Sequence, residues 1–417
     1  MKFLHDEVVI VGAARTPVGA FLGDLKTVPV EDLGQAALEE AIKRANVEKS
    51  DIDEVIVGHV TGTQTTNNLG RIIGINSGLS DASTGMTINR ICGSGIQSAV
   101  SAVQELLIMP NKKMIAAGGA ESLSRAPFYL PESVRYEGIR MGEPKLIDAN
   151  LAGHSSASGK GYEDVTHMGN TAENVVERYS ITREAQDEFA VNSQRKAAEA
   201  MGNGRFAQEI VSVEVPGRKG KVTVVDTDGH PRSGTSMESL AKLKPAFRFD
   251  GKGTVTAGNA SGLNDGAAFE IFTTKTTAEE KGLEVMAKVV DFAITGVNPA
   301  YMGLGPVEAV KTVLTQNELT LDDIDVLEIN EAFSGQILGC LRELKIDLDS
   351  DFYKNKFNPH GGAVALGHPL GMSGARIITS LCYEFKNRPE IKYAIASACI
   401  GGGQGIAMLL ENGYHKG

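Results

Sequence analysis

Three things are scarce in this 417-residue chain: long apolar runs, cysteine, and positive charge. No stretch approaches the roughly 18 consecutive apolar residues of a membrane-spanning helix, so no membrane span is expected. The first apolar run, Val8 to Val11, is closed by Gly12 and Arg15, so it reads as a first β-strand rather than a secretory leader. The four cysteines, Cys92, Cys340, Cys382 and Cys399, are irregularly spaced and form no C-x-x-C pair. That excludes a disulfide framework and a structural zinc site, and it makes a reducing cytoplasm the simplest setting. With 41 Lys and Arg against 52 Asp and Glu, the formal net charge is −11, which argues against nucleic acid or an anionic membrane as partner. An anionic ligand would need a local basic patch. What is abundant is glycine: 48 residues, well above the average of about 7%. A hydrophobic fraction of 42% and a charged fraction of 22% describe an ordinary soluble protein, long enough for two or three domains.

The chain repeats itself. A helical stretch from Leu33 to Ala45 leads through an acidic turn, Ser50-Asp51-Ile52-Asp53, into an apolar strand ending at Gly58. Much later, Pro306 to Gln316 leads through Asp322-Asp323-Ile324-Asp325 into a strand ending at Asn330. A second matched pair, Lys113 to Gly119 and Lys392 to Ala398, is in each case a short apolar strand ending in small residues. Strands alternating with helices predict two similar α/β halves with mostly parallel sheets and helices packed between them. The halves are placed at residues 1–121, completed by about 250–276, and 277–417. Between them, 122–249 is polar, turn-rich and too long for a connection, and reads as an inserted loop subdomain. It contains a helix from Thr182 to Met201 with Thr182 as cap. Gly253 to Asn259 is expected to return to strand-and-loop character and rejoin the first half.

Three glycine-rich islands carry the chemistry. Cys92, in Asn89-Arg90-Ile91-Cys92-Gly93-Ser94-Gly95, sits between a strand (Met86 to Ile88) and a helix (Ile96 to Leu107). A thiol at a helix N-terminus is expected to have its pKa lowered from about 8.5 toward 3.5–7.5, and the free N–H groups there can hold an oxyanion. His368, in Gly367-His368-Pro369, is placed as a base for that thiol. Cys399 ends an apolar strand and opens Gly401-Gly402-Gly403, where something requires uncovered backbone. Asn330, in Asn330-Glu331-Ala332-Phe333, closes a strand where α/β sheets place ligand groups, and could hold a water or carbonyl. A small buried cysteine at a turn, a structural histidine and a helix-capping asparagine are the bland alternatives for single residues. Their combination favours acyl transfer through cysteine.

These residues resemble the thiolases, and among them the biosynthetic acetyl-CoA C-acetyltransferases. The resemblance runs from Gly12-Ala13-Ala14-Arg15-Thr16-Pro17 to Gly401-Gly402-Gly403-Gln404-Gly405, and includes His167-Met168-Gly169-Asn170-Thr171-Ala172-Glu173-Asn174, Ala257–Gly266 and Gly361–Gly371. It implies a duplicated thiolase fold with mixed sheets. It also implies a Claisen condensation of two acetyl-CoA to acetoacetyl-CoA plus CoA, reversible as thiolysis. In that scheme Cys92 carries the acetyl group, His368 activates it, and Cys399 deprotonates the second acetyl-CoA. His368 with a water on Asn330 forms one oxyanion hole, and the N–H groups of Cys92 and Gly401 form the other. No metal and no tightly bound cofactor is implied, coenzyme A serving as substrate and product. The family places CoA against the insert, where Gly217 to Lys252 holds eight basic residues against four acidic ones. By that match Arg232 meets the nucleotide, while Ser261, His167 and Met168 line the pantetheine path. A homodimer or homotetramer is implied.

Three features depart from the family pattern. His360 stands where a small polar residue is common, putting a second imidazole near the site. Arg125 to Gly161 matches poorly and bears on subunit assembly and acyl-chain room, and Leu348 to Phe357 reads as a short surface insertion. The runner-up function is a degradative 3-ketoacyl-CoA thiolase for longer chains. A β-ketoacyl synthase would be expected to carry two histidines and one cysteine, and a non-catalytic lipid-binding relative would be expected to lack one of Cys92, His368 or Cys399.

Overall fold

The computed structural model describes residues 6–139, 141–155, 159–162, 165 and 167–415. The first half contributes β1 (Val8–Arg15), α1 (Val30–Ala45), β2 (Glu54–Gly58), α2 (Leu69–Asn76), β3 (Thr84–Ile88), α3 (Ser94–Ile108) and β4 (Met114–Ser122). The inserted segment holds α4 (Ala149–Ser155), α5 (Met168–Arg178) and α6 (Arg183–Gly202), and leads to β5 (Asn264–Thr274). The second half follows as β6 (Ala287–Gly296), α7 (Gly305–Gln316), β7 (Val326–Ile329), α8 (Ser334–Glu343), α9 (Ser373–Asn387), β8 (Tyr393–Ile400) and β9 (Gln404–Asn412).

Among the described residues these strands form one path, β7-β8-β9-β6-β1-β5-β4-β2-β3. Its centre is a short antiparallel junction, Val8 opposite Val289 and Ile10 opposite Ala287. On one side of that junction the order is β1-β5-β4-β2-β3; on the other it is β6-β9-β8-β7, and Phe357 bridges Leu327 in parallel where a fifth strand would lie. The two halves are therefore copies, with β2 matching β7 and β4 matching β8. One pair of side chains shows the match atom by atom. Asp53 accepts from the N–H groups of Lys113 and Met114, and Asp325 accepts from those of Lys392 and Tyr393.

The sheet is mixed, and the expectation of mostly parallel strands is corrected. Only β2 with β3, β2 with β4, and β7 with β8 are parallel. Parallel pairing needs a long crossover, whereas β8 and β9 are joined by a three-glycine turn that can only reverse the chain. At Gly402 and Gly403 φ is +83° and +82°, a left-handed conformation that favours glycine.

Alternation along the strands sorts side chains into layers. Val9, Val11, Ala116 and Phe269 face α1 and α2, while Ile10, Ile115 and Phe272 face α3 and α9. In the second half Ala394, Ala396 and Met408 face the same central helices, and Ile395 and Leu409 face α7 and α8. The residues Ile91–Ile108 reach a mean hydropathy of 1.2, which by length and composition suits a membrane span. Burial of α3 between the two half-sheets accounts for that apolarity.

The insert helix α5 packs on the second half, while Val213 and Val215 of the same insert join the core of the first. A Cβ at Gly335 or Gly339 of α8 would lie 2.4–2.5 Å from Val176 or Val175 of α5, so these glycines let two helices approach closely. Thr182 caps α6 by accepting from the N–H of Ala185. The expectation for Gly253 to Asn259 is corrected: this stretch forms no strand and ties to the insert rather than the first half. Glu173 of α5 accepts from the N–H groups of Thr254 and Val255, and Asn259 donates to Asp187. Polar side chains on the insert helices outcompete a sheet edge for this backbone. The strand begins only at Asn264.

Candidate active site

The chain reaches Cys92 through a strained turn. Ile91 adopts φ +48°, a left-handed conformation costly for a β-branched residue. Asn89 Oδ1 accepts from the Ile91 N–H at 2.9 Å, and Ser94 Oγ accepts from the Arg90 N–H and donates to the Ile91 carbonyl. Behind the turn, a Cβ on Gly95 would lie 2.4 Å from the Ala375 nitrogen, so glycine lets α3 and α9 touch at their N-termini.

Cys92 is 2% exposed. Burial pushes its thiol up to about 12, although its own N–H and that of Gly401 are both turned to the sulfur and pull the other way. The expected lowering is thus overturned. The helix N-terminus and the two N–H groups are present, but removing a thiolate from water costs more than they return. At rest Cys92 is a neutral thiol.

His368 is held on both sides. Its N–H donates to Asn264 Oδ1 at 2.9 Å, and a Cβ on Gly367 would lie 2.3 Å from that same Asn264 side chain. On the ring, Nδ1 is 2.5 Å from Ser373 Oγ, and Ser373 Oγ donates its single proton to the Pro369 carbonyl at 2.9 Å. With the hydroxyl proton placed there, Nδ1 donates to Ser373 and Nε2 carries the lone pair. Asn330 Nδ2 lies 3.3 Å from Nε2 and 3.5 Å from Nδ1. Burial pushes the imidazole down to about 3, so the ring is neutral. Asn330 Oδ1 is buried with no partner among the described residues, and so remains able to accept a hydrogen bond. The neighbouring Glu331 accepts from Ser193, Asn358 and the Val364 N–H, which fixes the loop leading to His368.

Cys399 is fully buried at the end of β8. Burial pushes its thiol well up, and proximity to Cys92 and Cys340 adds to this. Its thiol is close enough to Cys92 for the two to interact, although Cys399 is not among the residues that line the cavity.

A cavity of about 310 Å³ opens onto Cys92 and His368. Three of the four residues expected on the CoA path, His167, Met168 and Ser261, line it. Arg232 does not: it is exposed, two residues beyond His230, whose ring packs on the cavity-lining Gly262. His360 is also not in the wall. It hydrogen-bonds Glu384 at 2.7 Å and meets Phe206 edge-on, so the second imidazole sits beside the ion pairs that Glu384 makes with Arg205 and Arg388. Several wall residues were not identified from sequence: Asn150, Leu151 and His154 of α4, with Phe247, Met302 and Leu370. His154, His167 and Phe247 form a stack with centroids 5.4 and 4.8 Å apart, continued edge-on by Phe333. Burial and the adjacent His154 push His167 down to about 4. Three of these residues come from the stretch between Arg125 and Gly161, of which positions 140 and 156–158 lie outside the described residues.

Comparison with known proteins finds relatives along the whole length of the chain. Residues 8–276 match the family profile "Thiolase, N-terminal domain" and residues 283–412 match "Thiolase, C-terminal domain". An acetyl-CoA acetyltransferase of Syntrophomonas wolfei is 47% identical over 97% of this chain and 99% of its own length. One from Cupriavidus necator is 44% identical over 97% and 99%. The crystal structure of the Bacillus anthracis acetyl-CoA acetyltransferase superposes with a TM-score of 0.90 at 40% identity, covering 98% of this chain and 99% of that one. Human mitochondrial 3-ketoacyl-CoA thiolase in complex with CoA superposes equally well, at 38% identity over 99% of both chains. With both halves matched and relatives this similar along their whole length, the chain belongs to the thiolase family.

Proposed function

We propose that the protein is an acetyl-CoA C-acetyltransferase, condensing two acetyl-CoA to acetoacetyl-CoA and CoA through an acetyl group on Cys92. The observation that carries this reading is that Cys92 and His368 face one cavity while the N–H groups of Cys92 and Gly401 converge on the sulfur. Because both thiols are protonated at rest, bond formation and proton transfer are coupled. The Cys92 proton passes to His368 Nε2 as sulfur attacks the thioester, and the departing CoA thiolate takes the Cys399 proton. Cys399 then removes a methyl proton from the second acetyl-CoA, and the carbanion attacks the acetyl carbonyl. Cys92 leaves as thiolate and recovers its proton from His368. The backbone N–H pair stabilises one oxyanion. His368 with a water on Asn330 Oδ1 stabilises the other.

The nucleotide end of CoA lies outside the cavity against the basic insert, with Arg232 as a phosphate contact. Assembly as a homodimer or homotetramer is supported by exposed apolar side chains on the arm before α4, Phe128 at 63% and Tyr136 at 71%. Light scattering on the purified protein tests it. A cytoplasmic, reducing location suits two working thiols.

The deciding assay is CoA-dependent cleavage of acetoacetyl-CoA beside a sixteen-carbon 3-ketoacyl-CoA. Turnover of the four-carbon substrate alone supports the short-chain enzyme. Comparable turnover of both favours the degradative reading. Silence on both, with CoA bound, refutes catalysis.

A further inference from the structure

We infer that α4 is the partition that sets acyl length in this chain, and that the space behind it is an acyl subsite; the inference rests on the acyl-transfer reading above. A second cavity, of about 220 Å³, adjoins the first. The two share four wall residues: Asn150, His154, Met168 and Leu370. Cys92 packs in an apolar cluster with Leu123 and Leu370, against which Val60 and Ile91 lie. Leu370, Val60 and Ile91 also border the second cavity. A chain extending from the Cys92 sulfur therefore meets the wall between the cavities first.

That wall sets two polar side chains, Asn150 and His154, beside the apolar Met168 and Leu370, and the polar pair is held in place. The His154 ring bonds through Nδ1 to the Asn150 carbonyl at 2.6 Å and stacks on His167. Asn150 donates through Nδ2 to the Leu123 carbonyl at 3.0 Å, and its N–H donates to Asp148 Oδ1 at 2.9 Å. Asn150 Oδ1 is buried with no partner among the described residues. Methylenes laid against that oxygen and the His154 ring gain no hydrogen bond and displace the stack. An acetyl group stops short of them. Removing the His154 ring joins the two spaces and gives a longer chain an apolar path along Leu370 and Val60.

The test compares kcat/KM for CoA-dependent cleavage of acetoacetyl-CoA and of 3-ketooctanoyl-CoA. In each case the Cys92 sulfur bonds C3, the C2–C3 bond breaks, and C2 takes a proton to leave as acetyl-CoA. The first substrate leaves an acetyl group on Cys92 and the second a hexanoyl group, four methylenes longer. His154→Ala is expected to raise the eight-to-four-carbon ratio by about tenfold or more, each newly housed methylene being worth roughly three- to fourfold. His154→Phe keeps a ring in the stack and is expected to hold or lower the ratio. An unchanged ratio in His154→Ala, or a rise in His154→Phe, overturns the partition. Failure of the wild type on both substrates would instead overturn the acyl-transfer reading. The partition is then decided by relative affinity for hexanoyl-CoA over acetyl-CoA, which His154→Ala must raise if α4 is the wall.

Discussion

Replacing Ser373 with alanine tests how the site makes a base of a buried, weakly basic imidazole. Ser373 accepts the His368 Nδ1 proton at 2.5 Å and passes its own proton to the Pro369 carbonyl. It is 1% exposed, so water does not readily take its place. In Ser373→Ala the Nδ1–H is left buried without an acceptor, at a cost of about 1–3 kcal/mol. The ring can escape that cost by moving its proton to Nε2, where it can no longer accept from Cys92. Either way the form competent as a base becomes rarer. The expected fall in kcat/KM for acetoacetyl-CoA cleavage is about 5- to 150-fold. Single-turnover acetylation of Cys92 should slow in proportion, because that step uses the base. Ser373→Thr retains the oxygen and should recover most of the loss, which a merely volumetric role would not predict. The thermal midpoint of Ser373→Ala should be measured alongside, to separate misfolding from mispositioning. Activity within twofold of wild type, in a folded variant, would refute the tautomer assignment.

Other expectations follow from the same geometry. Cys92→Ser should abolish acetyl-enzyme formation by mass spectrometry, whereas Cys399→Ser should still acetylate and fail to condense; normal condensation by the latter removes Cys399 from the mechanism. Gly403→Ala places a Cβ 2.3 Å from the Val297 carbonyl oxygen at φ +82°, and should lower stability by at least about 1–3 kcal/mol in urea titrations. Burial alone would push the Glu209 carboxyl up, but Arg15 and Arg205 overcome it and hold the group down to about 2. Its stabilising contribution is present above the unfolded carboxylate pKa and is lost as pH falls from about 4.5 toward 2. Urea midpoints should therefore drop over that window, and less steeply in Glu209→Gln. Arg232→Ala should raise the KM for CoA a few-fold and weaken its salt dependence, with kcat nearly constant.

The proposed catalytic residues Cys92, His368 and Cys399 were legible because each lies beside glycines that close approach or a left-handed turn requires, and such glycines leave a local trace in sequence. The same holds for the repeat, since apolar periodicity and acidic turns are local signals. Strand direction was not legible to the same degree, because it depends on how distant segments return to the sheet. The pKa of Cys92 was misjudged for a related reason. A helix N-terminus can be read from neighbouring residues, but the depth of burial is set by Leu123, Leu370 and the second half of the chain. Cavity residues such as Phe247, Met302 and His154 carry no motif. Each is an ordinary apolar or polar residue until folding aligns it with His167 or Cys92.

The duplication also explains where the site lies. Since β4 matches β8, the helices that precede them, α3 and α9, are repeat-related. Cys92 stands two residues before Ser94, at the start of α3, and His368 five residues before Ser373, at the start of α9. These helices meet at their N-termini, where a Cβ on Gly95 would lie within 3.0 Å of Gly371 O, Gly374 N and Ala375 N. Two positive helix ends thus converge on one point. Their combined field does not keep Cys92 ionised at rest, because desolvation outweighs it. It acts instead when negative charge appears, on sulfur during attack or on oxygen after it. Neutral reactants and stabilised anions are what a carbon–carbon bond-forming site of this kind needs, and joining two copies of one half-fold places both helix ends there.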